Sequence, residues 1–195
     1  MNQLCLGFKF IIVNLLVGCA FFLGACTQVV PPYVFLKQNF DIYQVKKIAV
    51  LPFSNDTEFK NAGEIVTRAF VQKLFETGKW KVEFQGNLQM LLVGERITPR
   101  NGIGVKELQI IGKRLNVDAV VAGSVKQYGE NLDDEGIPEI SISARMIHSE
   151  SGVIIWMGEG QRSGRDYETI LGRGRVRSGP ELVRKVVQEL VATIP

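Results

Sequence analysis

Few residues in this sequence have the types and spacing that catalysis on a bound substrate requires. His148 is the only histidine, and it stands beside a predicted hairpin turn with no cysteine or carboxylate at metal-ligand spacing. The sequence has no Gly-x-Ser-x-Gly elbow, and the glycine-rich stretches that begin at Gly102 and Gly172 lack the lysine of a phosphate loop. No nucleophile, base and orienting group can be assembled, so we expect no enzymatic activity, no metal site and no cofactor.

Two other stretches contain residue types that bind ligands. The loop residues Asp133, Asp134 and Glu135 could gather a cation, although three acids at a loop tip are more often only solvated. The stretch from Ser54 to Thr57 follows the first predicted strand, where α/β sheets tend to bind ligands. Turns between a strand and a helix use the same residue types, however. Neither stretch predicts a site by itself.

Cys26 has a sequence context that points to covalent modification. The apolar run Phe10 to Leu23 before it is shorter than the roughly 20 residues that a membrane-spanning helix needs. Lys9 is the only charged residue that precedes Cys26, so the segment has the weakly positive start, apolar middle and small residues of a secretory signal. Removal of this segment takes the other two cysteines with it and leaves Cys26 as a lone thiol, which acylation would protect.

The residues Leu23, Gly24, Ala25 and Cys26 resemble the lipobox of bacterial lipoproteins. The resemblance implies diacylglycerol on the Cys26 thiol, cleavage before this cysteine, and acylation of the new amine by a fatty acid such as palmitate. Several acyl chains together are enough for stable membrane anchoring. The alternatives are an ordinary signal peptide, or a buried hairpin that happens to contain a cysteine.

This interpretation divides the chain into a signal peptide at 1–25, a lipidated tether at 26–44 and a periplasmic α/β domain at 45–195. The tether contains Pro31-Pro32 and no steady hydrophobic period, which favours an extended start. Thr27 follows the cysteine where an aspartate would favour retention in the inner membrane of enterobacterial-type lipoproteins. We therefore expect a lipid-anchored protein on the periplasmic face of the outer membrane.

A segment rich in arginine follows the last predicted strand and is the candidate partner or anionic surface. Its positive side chains outnumber Asp166 and Glu168; they are Arg162, Arg165, Arg173, Arg175 and Arg177. Such a patch could meet lipid head groups, lipopolysaccharide phosphates or an acidic partner. The alternative is a solvated loop whose arginines only keep it soluble. The formal net charge of +3 is too close to balance to predict nucleic-acid binding.

Hydrophobic periodicity predicts one mixed α/β domain, a sheet packed with helices in the order β-α-β-α-α-β-β-β-α. Short apolar or alternating runs give the strands, and apolar residues at helical spacing give the helices. The predicted elements are, in order, strand 48–53, a helix from Asn61 that Gly78 stops, strand 80–84, helices 88–94 and 105–115, strands 117–129, 140–147 and 153–160, and a last helix that includes 182–194. We expect the broad apolar stripe of this last helix to pack on its own sheet.

Four stretches resemble the CsgG-like lipoproteins, the group of the curli secretion channel subunit: "KKIAVLPFSNDT", "GEIVTRAFVQKLFETGKWKVEF", "IGKRLNVDAVVAGSVKQYGE" and "ISARMIHSESGVIIWMGEGQ". The layout is also similar to the N-terminal domain of TolB and to lipoprotein activators of penicillin-binding proteins. The resemblance covers the chain from Val45 onward, with Gly123 in the third strand and Gly152 in the hairpin turn. It implies a CsgG/TolB-N-terminal-like fold.

The chain departs from the channel-forming members at both of their membrane-spanning hairpins. The first is replaced by "ENLDDEGIP", which is acidic, whereas a hairpin needs two transmembrane strands of about 9–11 residues each. The second is replaced by the arginine-rich segment, which has no apolar alternation to face lipid. The sequence therefore predicts the periplasmic domain of such a lipoprotein without its pore.

Three functions follow from these observations. We expect an accessory or assembly factor in envelope biogenesis or secretion, which acts on other envelope proteins from its lipid anchor. One alternative is a homo-oligomer, a ring-forming subunit of a curli-type secretion channel. The other is an activator of a peptidoglycan synthase, for which a tether of about 18 residues, reaching no more than roughly 60 Å, looks short.

Overall fold

The computed structural model describes residues 30–99, 102–130, 136–169 and 173–195. These residues form seven strands and four α-helices. The strands are β1 Tyr33–Leu36, β2 Lys47–Val50, β3 Ser54–Asn55, β4 Lys81–Val82, β5 Ala119–Glu130, β6 Pro138–His148 and β7 Ile154–Ser163. The helices are α1 Ala62–Thr77, α2 Gln85–Gly94, α3 Val105–Leu115 and α4 Gly179–Ala192. The predicted mixed α/β class is confirmed.

All seven strands belong to one sheet in the spatial order β1-β7-β6-β5-β2-β4, with β3 also paired to β5. Strands β2, β4 and β5 are parallel to one another, whereas β6, β7 and β1 continue the sheet in antiparallel pairs. The residues Ile48 to Val50 of β2 are fully buried, as the continuous apolar run predicts for a strand covered on both faces.

Helices α1 and α4 cover one face of the sheet and enclose the larger hydrophobic core. The apolar stripe of α4 packs on its own sheet, as predicted, and every residue of the stripe is buried: Leu182, Val183, Val186, Val187, Leu190, Val191 and Ile194. Trp156 of β7 is fully buried in the same core and donates a hydrogen bond from Nε1 to Thr193 Oγ1 at 3.0 Å. The end of α4 is thereby fixed to the sheet.

Helices α2 and α3 cover the opposite face, but only over β2, the start of β5 and the turn after β6. Leu88 and Leu92 of α2 meet Leu108 and Ile111 of α3 in this second, smaller core. No helix among the described residues lies over the rest of this face, on β6, β7 and β1. The described helices therefore leave the part of this face on β6, β7 and β1 uncovered.

The first described residues differ from the predicted tether at 26–44. Tyr33–Leu36 is a strand that pairs antiparallel with β7, and a short 3-10 helix follows at Ile42–Gln44. Val34 packs against the larger core, so one side of the strand is held by hydrophobic contact as well as by backbone hydrogen bonds. The ordered domain therefore begins at least as early as Tyr33, which leaves a much shorter tether.

Local signals place most element ends correctly. Gly78 ends α1 in the left-handed conformation with φ 64°, and Gly152 has φ 70° in the turn between β6 and β7, as both glycines predict. Asn61 precedes α1 without a side-chain capping bond. The predicted strand 80–84 is reduced to Lys81–Val82. Lys81 N donates to Lys46 O just before β2 and Glu83 N donates to Ile48 O of β2, but the chain then turns into α2.

Candidate binding surfaces

A wide cleft of about 920 Å³ lies between the loop after β2, the start of α1 and the end of α2. Its walls mix apolar residues such as Leu92 and Ile97 with charged side chains of both signs, among them Lys60, Glu64 and Arg96. The volume falls in the range of small-molecule pockets, roughly 300–1,000 Å³. The cleft is open and its charged groups are exposed, so it lacks the enclosure that a buried catalytic site uses to strengthen electrostatic interactions.

The stretch from Ser54 to Thr57, which follows the first predicted strand, lies at this cleft, but its polar groups stabilise the turn. Asn55 Oδ1 accepts hydrogen bonds from Thr57 N at 3.1 Å and Thr57 Oγ1 at 2.7 Å, and Asn55 Nδ2 donates to Phe59 O at 2.8 Å. Asp56 forms an ion pair with Lys126 at 2.7 Å. These side chains therefore have structural partners, as the alternative interpretation of a strand-to-helix turn predicts.

His148 also has a structural role in its surroundings. Its Nδ1 lies 2.9 Å from Ser151 Oγ, within the turn between β6 and β7, and its ring meets the edge of Phe40 at 5.5 Å between centroids. Among the described residues, no group of three histidines, cysteines, aspartates or glutamates could hold a metal ion. The acidic loop Asp133 to Glu135 lies outside the described residues.

The five arginines of the candidate anionic surface do not form one exposed surface. Arg162 is 5% exposed and its guanidinium forms an ion pair with Glu189 of α4 at 2.6 Å. Arg175 holds both carboxylate oxygens of Glu168, at 2.8 Å and 3.0 Å, and this pairing lowers the pKa of that carboxyl. The remaining three, Arg165, Arg173 and Arg177, have exposed side chains. The predicted patch is thus reduced by two members that are used within the fold.

Arg162 is buried because it lies on the helix-facing side of β7. Trp156, Gly158 and Gly160 occupy the same side at a spacing of two, with the two glycines beneath Leu190 of α4. Their lack of a side chain lets the helix approach closely. The sequence contains this alternation, but the predicted strand ends at Gly160 and assigns Arg162 to the arginine-rich segment, because a charged residue after a strand is typical of a loop.

The uncovered part of the sheet is the largest feature that the sequence interpretation did not identify. We name it the open sheet face, and its side chains are mostly polar: Ser124 and Gln127 of β5, Glu139, Ser141, Ser143 and Arg145 of β6, Met157, Glu159 and Gln161 of β7, and Tyr33 and Phe35 of β1. The alternation of Ile140 to Ile147 contained the signal, because every second residue of that strand is polar or charged up to Arg145.

Neighbouring side chains on the open sheet face bond across the strands. Gln127 Nε2 donates to Glu139 Oε2 at 2.7 Å, and Ser143 Oγ donates to Glu159 Oε1 at 3.2 Å. Arg145 lies where this face meets the loop at Gly102, and its buried Nε has no hydrogen-bond partner. Cross-strand hydrogen bonds therefore preorganise side chains of this face on strands that are paired with one another.

A second uncovered surface lies on the outer side of α2. We name it the α2 patch; it consists of Phe84, Met90 and Val93, which are about 70% exposed. The ring of Phe84 lies over Gly86, and Gly86, Met90 and Val93 follow one another at helical spacing. Large apolar side chains that share one exposed side are typical of interaction surfaces.

The edge strand β1 is the third such surface. Tyr33, Phe35 and Leu36 are exposed to 68%, 41% and 43% although they belong to a paired strand. Lys37 N donates to Ile155 O at 3.0 Å, so in this antiparallel register the backbone groups of Val34 and Leu36 point away from β7. The edge thus presents both apolar side chains and unpaired strand backbone.

The lipobox residues Leu23, Gly24, Ala25 and Cys26 lie outside the described residues, so lipid attachment stays a prediction. Among the residues that the structure describes, no helix is both long enough and apolar enough to cross a membrane.

Comparison with known proteins identifies solved structures that share this fold. No sequence-family profile and no curated protein matches this chain. PelC from Paraburkholderia phytofirmans, solved as a dodecamer, has 17% identity and a TM-score of 0.58 over 83% of this chain and 95% of its own. The lipoprotein GNA1162 from Neisseria meningitidis has 18% identity and a TM-score of 0.56 over 76% of this chain and 97% of its own. Membership of the CsgG-like group stays a prediction. The chain has a fold that also occurs in a bacterial lipoprotein and in a protein that assembles as a dodecamer.

Proposed function

We propose that this chain is a non-enzymatic, lipid-anchored outer-membrane lipoprotein that acts as an accessory or assembly factor in envelope biogenesis or secretion. The observation that carries the proposal is the open sheet face, a polar surface that the described helices leave uncovered. The lipobox-like residues before Cys26 and the fold shared with the lipoprotein GNA1162 support the anchor.

The open sheet face is suited to binding a folded protein. The backbone groups of its paired strands are already hydrogen-bonded within the sheet. A partner that binds this face therefore contacts side chains and buries few unsatisfied backbone groups. The serines, glutamines and glutamates of this face have the polar character of a non-obligate interface. Anchoring through Cys26 would confine the domain to a thin layer and raise its effective concentration toward partners there.

The short tether argues against the third of the expected functions. Only seven residue steps separate Cys26 from Tyr33, the first residue of β1, and they reach at most about 25 Å. The prediction of a tether of about 18 residues allowed roughly 60 Å. A domain held this close to the membrane is poorly placed to act through the cell wall on a peptidoglycan synthase, so we do not propose that activity.

Site-specific photo-crosslinking in the cell of origin tests the binding function. A photoreactive phenylalanine analogue at Ser143, in the middle of the open sheet face, should give adducts of discrete mass with envelope proteins. The same analogue at Gln72, which is exposed on the outer side of α1, is the matched control and should give none. Adducts from Gln72 alone, or from neither position, would contradict this use of the open sheet face.

A ring-forming subunit is the second candidate, because PelC has the same fold and was solved as a dodecamer. A closed ring needs two different surfaces on each subunit, and the open sheet face and the α2 patch are two such surfaces on this chain. Light scattering of the native protein in mild detergent, with negative-stain images of the same fraction, distinguishes the candidates. A closed ring of many subunits would favour the ring, and a monomer or small oligomer would favour the accessory factor.

A further inference from the structure

The exposed apolar side chains of β1 are close to the predicted point of lipid attachment. Val30, Tyr33, Phe35 and Leu36 form this surface, and each is more than 40% exposed. An edge strand that presents apolar side chains and unpaired backbone is an aggregation hazard unless something covers it. Strand β1 begins seven residues after Cys26, so a membrane that holds an acylated Cys26 would lie near enough to cover this edge.

The acylated Cys26 would fix one end of the chain in the bilayer. Seven residue steps then hold Tyr33 within about 25 Å of the membrane surface, whatever path they take. The other edge of the sheet, at β4, is five strand spacings farther away, about 24 Å at the usual 4.8 Å between strands. Of the two edges of the sheet, the β1 edge is thus the one that the anchor would hold more tightly to the neighbourhood of lipid.

The chemistry of the β1 edge suits the headgroup region of a bilayer. Tyrosine is enriched at membrane interfaces because its ring is apolar and its hydroxyl stays hydrated. The exposed Lys37 directly after the strand can approach anionic headgroups, and the outward backbone groups of Val34 and Leu36 can bond to interfacial water. The β1 edge thus combines apolar side chains, which suit the acyl-chain boundary, with a tyrosine hydroxyl and a lysine, which suit the polar headgroups.

We infer that the β1 edge, through Val30, Tyr33, Phe35 and Leu36, docks on the lipid surface to which Cys26 is anchored. The inference rests on the proposed acylation of Cys26. Docking covers the exposed edge and orients the domain, so that the β2–β4 end of the sheet, which carries α2 and its patch, lies away from the bilayer.

Lipid quenching of a single fluorescent label tests this orientation. The acylated mature protein has no free cysteine, so Tyr33→Cys and Met90→Cys each introduce one labelling site. The two native side chains are matched in exposure, at 68% and 69%, but Met90 lies on α2, which packs on β2 toward the opposite end of the sheet from β1. Each labelled lipoprotein is reconstituted in vesicles of phosphatidylethanolamine and phosphatidylglycerol that contain lipid spin-labelled near the headgroup.

We expect several-fold stronger quenching of the label at position 33 than at position 90. Equal quenching at both positions, or stronger quenching at position 90, would overturn the docking inference while leaving the anchor intact. A label at position 33 that is shielded from both spin-labelled lipid and a water-soluble quencher would show that a second protein copy covers the edge, and would also overturn it. An unacylated Cys26 in the mass spectrum of the starting protein would remove the anchor and the docking inference together.

Discussion

Arg162, Glu189 and Tyr167 form a polar cluster that holds the segment after β7 against α4. Tyr167 donates to Glu189 Oε1 at 2.6 Å, while Arg162 pairs with the other carboxylate oxygen of the same residue. Burial and the hydrogen bond to the Glu189 carboxylate raise the pKa of Tyr167 far above its usual range, so its hydroxyl stays a donor. Lys185 also lies over the Tyr167 ring, 4.8 Å from its centroid. At the scale of residues, this part of the arginine-rich segment is therefore a structural element.

Arg162→Leu should lower the free energy of unfolding by about 2 kcal/mol, because it leaves the partly buried Glu189 carboxylate without its cation. The value is reduced from that of a fully buried pair because water still reaches Glu189. Urea unfolding of the domain measures the change. Arg173→Gln, in an exposed position of the same segment, is the control and should change stability by less than about 0.5 kcal/mol. Equal effects of the two substitutions would contradict the structural role of Arg162.

Glu83 connects β4 to β2 and α2 and makes stability depend on pH. Burial raises the pKa of its carboxyl, but hydrogen bonds from Lys47 and from Asn87 Nδ2, at 2.7 Å, outweigh burial, so the pKa lies below its ordinary value of 4.5. A carboxyl with a lowered pKa in the folded state contributes stability above the ordinary value and loses it as the pH falls through the lowered one.

Glu83→Gln should therefore destabilise the protein most above pH 4.5, and the difference from the unsubstituted chain should shrink in more acidic solution. Thermal unfolding at a series of pH values measures this difference. A difference that stays constant with pH, or grows in acid, would show that the charge of Glu83 is not what stabilises this contact.

At the scale of elements, local signals were sufficient for most of the domain and failed where pairing is distant in sequence. Helix α3 occupies the predicted range 105–115 because its amphipathic period is strong, and β5 to β7 follow their alternation. Strand β1 was missed because its partner β7 is more than a hundred residues away, and four residues carry too little period to reveal it. The alternation of β6 indicates that one face of this strand is polar, but the extension of that face over β7 and β1 depends on the strand pairing, which the alternation does not show.

Gly123 shows how closely the central strand is packed. A Cβ at this position would lie 2.4 Å from Ser143 O of β6 and equally close to the ring of Phe53, which is itself stacked on Phe70. Gly123→Ala should lower the free energy of unfolding by about 3 kcal/mol, because backbone or a buried ring must move. Chemical denaturation measures the loss.

Gly129→Ala is the matched control in the same strand, because a Cβ there meets no atom within 4 Å. We expect it to be neutral or slightly stabilising, since alanine restricts the unfolded chain more than glycine does. Equal stability of the Gly123→Ala and Gly129→Ala variants would contradict the close packing of β5 against β6 and Phe53.

At the scale of the whole molecule, the proposed anchor at Cys26 would hold the α/β domain close to a membrane, because only seven residue steps separate Cys26 from Tyr33. The domain has three exposed surfaces of different chemistry: the β1 edge, for which we propose lipid, the open sheet face, for which we propose a protein partner, and the apolar α2 patch. The proposed roles of these surfaces depend on the proposed lipid anchor at Cys26.

The acylation state of Cys26 is the most direct test of this account. The protein is purified from membranes of its own cell and the N-terminal peptide of the mature chain is analysed by mass spectrometry. We predict a chain that begins at Cys26 and carries a thioether-linked diacylglycerol and an amide-linked fatty acid, and a Cys26→Ser variant that leaves the membrane fraction. An unmodified Cys26, or a Cys26→Ser variant that still sediments with membranes and labels with palmitate, would contradict the lipid anchor and with it the proposed function.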